Sequence, residues 1–82
     1  MNKSKFMFDK PIQLSNAYNA LRAKFPNIRL NTLYNSTTPE GNICHLLFVD
    51  TVEPISKRID ITVHITDYGG TFVSTVRMPY IP

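Results

Sequence analysis

The chain has one cysteine, Cys44, no tryptophan and three glycines in 82 residues. A single thiol excludes an intramolecular disulfide framework, so a domain this short has to stand on its hydrophobic core. The same absence fits a reducing compartment, and the sequence reads as that of a cytoplasmic protein. Long apolar runs are absent too. The N-terminus opens with Lys3 and Lys5, but its apolar stretch, Phe6-Met7-Phe8, ends at Asp9, whereas a secretory leader needs about 7–15 apolar residues. No segment approaches the roughly 20 apolar residues of a membrane span, and no membrane partner is expected. Charged residues are scarce, at 18%, below the usual quarter. Self-repulsion therefore does not oppose collapse, and a 43% hydrophobic fraction makes disorder the wrong default. The length allows a single small globular domain over residues 1–82.

The motifs behind common chemistries are also missing. Neither G-x-x-x-x-G-K-[ST] nor G-x-G-x-x-G occurs, so the loops that cradle nucleotide phosphates are not expected. Neither C-x-x-C nor H-E-x-x-H occurs, so no metal is expected. Cys44 and His45 are sequence neighbours, and on a strand neighbours point to opposite faces. They cannot form a nucleophile–base pair with each other. A Cys44/His64 couple or a His45/His64 metal pair requires the strands bearing them to lie side by side. Asp50, Glu53, Asp60 and Asp67 are candidate acids and bases, but paired-carboxylate catalysis needs two of them flanking a cleft. The expectation is a protein that is not an enzyme and carries no cofactor.

What the sequence does have is an uneven charge. Residues 1–29 carry a net +5 and residues 30–82 a net −2, giving +3 overall. The basic set is Lys3, Lys5, Lys10, Arg22, Lys24 and Arg29. It is the candidate surface for nucleic acid or for an acidic protein.

Hydrophobic periodicity predicts one helix, Pro11–Phe25. Leu14, Ala17, Tyr18, Leu21 and Phe25 make one stripe, and Pro26 ends it. It starts either with Asp9 or Lys10 as cap and Pro11 in the first turn, or with Ser15 as cap. The remainder alternates with period two and reads as strands at Ile28–Tyr34, Ile43–Asp50, Arg58–Tyr68 and Thr71–Met78. Gly69-Gly70 allows a tight hairpin turn. With Tyr68-Gly69 as the two turn residues Ile65 pairs with Phe72 and Asp60 with Arg77, while a turn at Gly69-Gly70 shifts the partners and keeps the faces. Lys5–Phe8 is a possible short N-terminal edge strand. The expected fold is α+β, one helix packed on a four-stranded antiparallel β-meander.

In that arrangement the sheet's second face is polar, and Thr62, His64, Tyr68 and Arg77 on it are the candidate partner-binding residues. Strand Ile43–Asp50 breaks the pattern, because Ile43, Leu47 and Val49 on one face and Cys44, Leu46 and Phe48 on the other are all apolar. Something must cover the second face: the lead-in with Phe6 and Phe8, the tail with Tyr80 and Ile81, a second copy or a partner. The expected function is a non-catalytic protein-binding module, a small stoichiometric inhibitor or adaptor. Asn, Lys and Ile together supply 20 of the 82 residues, a usage that suggests an AT-rich bacterial or phage genome. By analogy of form alone, that allows a phage-encoded anti-defence (anti-CRISPR-like) protein. The alternatives are a nucleic-acid binder using the basic set and a homodimeric structural subunit.

Overall fold

Six elements alternate along the chain in the computed structural model, which describes residues 2–51 and 55–77, with side chains from Arg58 onward in the second segment. They are β1 (Asn2–Phe8), α1 (Pro11–Lys24), β2 (Arg29–Thr37), β3 (Ile43–Thr51), α2 (Ile55–Asp67) and β4 (Thr71–Arg77). The strands form one sheet in the order β2-β3-β1-β4, and every neighbouring pair is antiparallel. Each helix connects two strands with a third strand between them. This is the split β-α-β, or ferredoxin-like, connectivity.

The α1 helix begins at Pro11, with extended Lys10 as its N-cap. Proline suits that position because the N–H it lacks would have no intrahelical partner. Phe25 closes the helix, donating its N–H to the Leu21 carbonyl at 2.7 Å, and Arg22 and Lys24 in the last turn complement the helix dipole. Leu14, Ala17 and Leu21 are buried along one side. They meet Phe6 and Phe8 of β1, Leu47 and Val49 of β3, and Ile61 and Ile65 of α2 in a single core. Each large side chain fully buried there contributes about 1.5–3 kcal/mol.

The α+β class and the four-stranded antiparallel sheet agree with the sequence reading, as do α1 and the positions of β2 and β3. The connectivity is different. Residues 58–68 are not a strand, because α2 covers Ile55–Asp67. Ile59, Ile61, Val63 and Ile65 satisfy a period of two, but only Ile61 and Ile65, one helical turn apart, are buried, while Ile59 and Val63 stand 57% and 51% exposed. Burying that pair over the sheet outweighs the strand preference of the β-branched residues around it. Two threonine hydroxyls fit the helix by bonding back along it: Thr62 Oγ1 donates to the Arg58 carbonyl at 2.9 Å and Thr66 Oγ1 to the Val63 carbonyl at 2.9 Å.

Gly69-Gly70 is therefore a helix terminus and not a hairpin. Gly69 has φ +96°; its N–H bonds to the Thr66 carbonyl at 3.0 Å, and the Gly70 N–H to the Ile65 carbonyl at 3.1 Å. Those two bonds are the Schellman closure. The expected hairpin pairs fall with it. Asp60 lies on α2, and β4 pairs with β1.

The lead-in is the other correction. It is not an edge strand, because β1 lies between β3 and β4. Phe6 and Phe8 are fully buried under the helices, which requires a central position. They therefore do not cover the second face of β3. Met78, Tyr80 and Ile81, the end of the fourth predicted strand and the tail, lie outside the described residues.

Candidate functional site: the sheet face opposite the helices

Both helices lie on one side of the sheet, the side that holds Phe6, Phe8, Leu47 and Val49. Alternation along each strand sends the intervening residues to the other side. The pairing registers arrange them in three rows across all four strands. One row runs Arg29, Asp50, Lys3, Val76; the middle row runs Asn31, Phe48, Lys5, Ser74; the third runs Leu33, Leu46, Met7, Thr71. The face thus grades from charged at one end to apolar at the other. Leu33 and Val76 are 49% and 53% exposed, and Met7, Leu46 and Phe48 are half-buried.

Three cations meet there, Lys3, Lys5 and Arg29. Asp50 is flanked across the strands by Lys3 and Arg29, and its Oδ1 is buried without a hydrogen-bond partner. Formal charge in these rows is +2. The other half of the basic set is elsewhere. Lys10 caps α1. Arg22 donates to the Tyr18 hydroxyl at 3.0 Å and lies over its ring, and Lys24 sits 5.9 Å from the Phe25 ring centre. The six do not form one surface.

Nor do Thr62, His64, Tyr68 and Arg77. The first two belong to α2, Tyr68 follows its last turn and Arg77 ends β4, so the shared strand face expected of them does not exist. His64 lies between the Phe25 and Tyr68 rings, at 6.0 and 6.4 Å, on the side of α2 toward α1. Thr62 faces the other way, toward β4, in a groove that Phe72 and Thr75 also line.

Cys44 is buried and free, and its place in β3 puts it on the side of Leu46 and Phe48. His64 is in the helix layer, so the sheet separates the two. His45 is buried and accepts the Asn35 N–H on Nδ1 at 3.1 Å. Among the described residues, no three His, Cys, Asp or Glu side chains cluster to hold a metal, and no helix is long and apolar enough to cross a membrane.

The sequence carried part of this site. The doubly apolar character of residues 43–50 marks Leu46 and Phe48, and the alternation Arg29, Asn31, Leu33 marks the β2 contribution. Lys3, Lys5 and Met7 were not assignable to the face without knowing that β1 is central. The chain matches no protein-family model, no curated protein and no solved structure.

Proposed function

We propose that this is a non-catalytic protein-binding module, a cytoplasmic inhibitor or adaptor that docks its partner on the sheet face opposite the helices. The observation that carries this reading is the graded face itself: an apolar end of Met7, Leu33 and Leu46 beside a basic end of Lys3, Lys5 and Arg29. Apolar contacts beside a charged rim are the anatomy of a specific protein interface. The complement is a partner surface with an apolar patch and an acidic border, and charge of that kind speeds encounter and sets orientation.

A second reading is nucleic-acid binding, favoured by the placement of Phe48 beside Lys5 and Asn31 in the middle row. Sheet-based RNA binders stack two or three bases on aromatic side chains, and the described residues of this face offer one ring. The protein reading also accounts for the apolar third row.

The test is affinity capture from a nuclease-treated bacterial lysate at low and high salt, with wild type, Leu33→Asp and the Lys3→Glu/Lys5→Glu double variant compared. A defined protein retained in near-equal amount by wild type and lost by Leu33→Asp supports the proposal. Retention abolished by nuclease or by salt assigns the face to nucleic acid. A stable dimer in light scattering, broken by Leu33→Asp, assigns it to a second copy.

A further inference from the structure

A second surface lies on the opposite side of the molecule. There α2 and β4 enclose an open groove of about 270 Å³. Its walls are Ile59, Val63 and Phe72, exposed at 57%, 51% and 48%. Phe72 is held in place edge-on against Phe6, ring centres 5.6 Å apart. The floor is closed by a hydrogen bond between Ser4 Oγ and Thr75 Oγ1 at 2.9 Å. Arg58 is the only charged residue among the described ones that line it, and its Nε is buried without a hydrogen-bond partner. Arg77, in register with Asn2 on the helix side of the sheet, adds a second positive charge at that end of β4.

The groove runs beside an edge. Among the described residues β4 is terminal in the sheet and pairs only with β1. Edge strands are normally blunted by lysine, proline or inward charge, yet Thr71–Arg77 contains neither lysine nor proline, and its one charge is terminal Arg77. A register shift leaves Val73 as an extra residue, after which Ser74–Arg77 continues in regular pairing with β1. The other edge, β2, is interrupted instead by Asn35 at φ 59° and carries mostly polar residues.

We infer that this groove and edge take an extended acidic peptide segment of a partner protein. The segment pairs along Ser74–Arg77 as a fifth strand. Its alternate apolar side chains enter between Ile59, Val63 and Phe72, and an Asp or Glu side chain meets the Arg58 guanidinium, with Arg77 adding to the positive field. Charge selects the occupant: among the described residues that line it the groove presents Arg58 and no carboxylate, so it favours an acidic segment over a neutral or basic one. The volume is just below the range of small-molecule pockets, about 300–1,000 Å³, and suits side chains of a peptide.

The inference is independent of the sheet-face proposal, and the experiment separates them. A display library of random ten-residue peptides is selected on the intact protein, and the peptides recovered are titrated against variants. Recovered sequences should alternate apolar residues and contain Asp or Glu. Their binding should fall at least tenfold in Arg58→Gln and be lost in Ile59→Asp, whose altered side chain is exposed and leaves the core intact. Leu33→Asp, on the opposite face, should bind them as wild type does. Amide signals of Ser74–Arg77 should shift on titration. The inference is overturned if no acidic peptides are recovered, if Arg58→Gln and Ile59→Asp bind them unchanged, or if the free protein is a dimer through β4.

Discussion

The backbone N–H of Asn35 donates to Nδ1 of His45 at 3.1 Å. The bond sits where β2 slips register against β3, between Leu33 and Ser36, and Asn35 there has φ 59°, a conformation asparagine tolerates better than most residues. An acceptor Nδ1 places the ring proton on Nε2. The same ring tilts against Tyr34 at 5.7 Å, and the Tyr34 hydroxyl meets Ser15 Oγ of α1 at 2.9 Å. One buried histidine thus ties a bulged edge strand to the central strand and, through Tyr34, to the helix above.

His45→Leu keeps much of the side-chain volume and removes the acceptor. The Asn35 N–H is left without its partner, and the expected loss is about 1–3 kcal/mol of unfolding free energy, read by urea denaturation. Amide hydrogen exchange at Asn35 should accelerate at the same time, while exchange in β1 keeps its order relative to global unfolding. Unchanged exchange at Asn35 would show that the bond does not hold the bulge.

The identity of α2 has an equally direct test. Ile65 is fully buried, and Ile59 and Val63 are more than half exposed. Ile65→Ala should cost about 2–5 kcal/mol, as buried large-to-small changes do. Ile59→Ala and Val63→Ala should each stay within about 0.5 kcal/mol of wild type. A strand over 58–68 predicts similar losses at all three positions, so equal effects measured in denaturant would refute the helix.

That contrast also shows where the sequence was readable. The α1 stripe, Pro11 and Pro26 are local signals, and they mark one helix nearly to the residue. In 58–68 the local signals run against the observed helix: isoleucine, valine and threonine favour a strand, and alternate spacing agrees. The helix becomes evident only once Ile61 and Ile65 are known to share one core with Leu21 and Phe8. The glycine pair was ambiguous for the same reason, since a hairpin and a Schellman terminus use the same residues. Misreading α2 moved Thr62, His64 and Tyr68 onto a face they do not occupy. It also hid the central place of β1, and with it the meeting of Lys3, Lys5 and Met7 with Phe48 and Leu46.

The glycines separate backbone cost from packing cost. A Cβ at Gly70 would lie 2.6 Å from Ile65 Cγ2 and 2.7 Å from Phe8 Cζ, both on fully buried side chains. Gly70→Ala should therefore cost about 1–3 kcal/mol through overpacking, and Gly70→Asn more. At Gly41 φ is +88° with nothing within 4 Å of the added atom. Gly41→Ala should lose about 1–2 kcal/mol through backbone strain alone, and Gly41→Asn should recover part of it. Thermal melts of the four variants check the reversal; if asparagine is worse than alanine at both sites, the assignment at Gly41 fails.

Charge reversal on the sheet face separates its two proposed uses. Lys3 and Lys5 are half-buried on β1, beside Asp50 and Phe48 in register. For a protein partner with an acidic border, Lys3→Glu/Lys5→Glu should reduce the association rate chiefly, by roughly tenfold or more at low salt, because steering acts on encounter. The difference from wild type should shrink as ionic strength rises, since the screening length falls from about 30 Å at 0.01 M to about 8 Å at 0.15 M. The dissociation rate should instead respond to Leu33→Asp, which places a charge in the apolar contact. For nucleic acid the double variant should flatten the dependence of log affinity on log salt by about two phosphate contacts, and Leu33→Asp should matter less than either lysine. Surface-plasmon kinetics of both variants across a salt series, with the captured partner immobilised, distinguish these outcomes. A double variant that binds like wild type at low salt would remove Lys3 and Lys5 from the interface altogether.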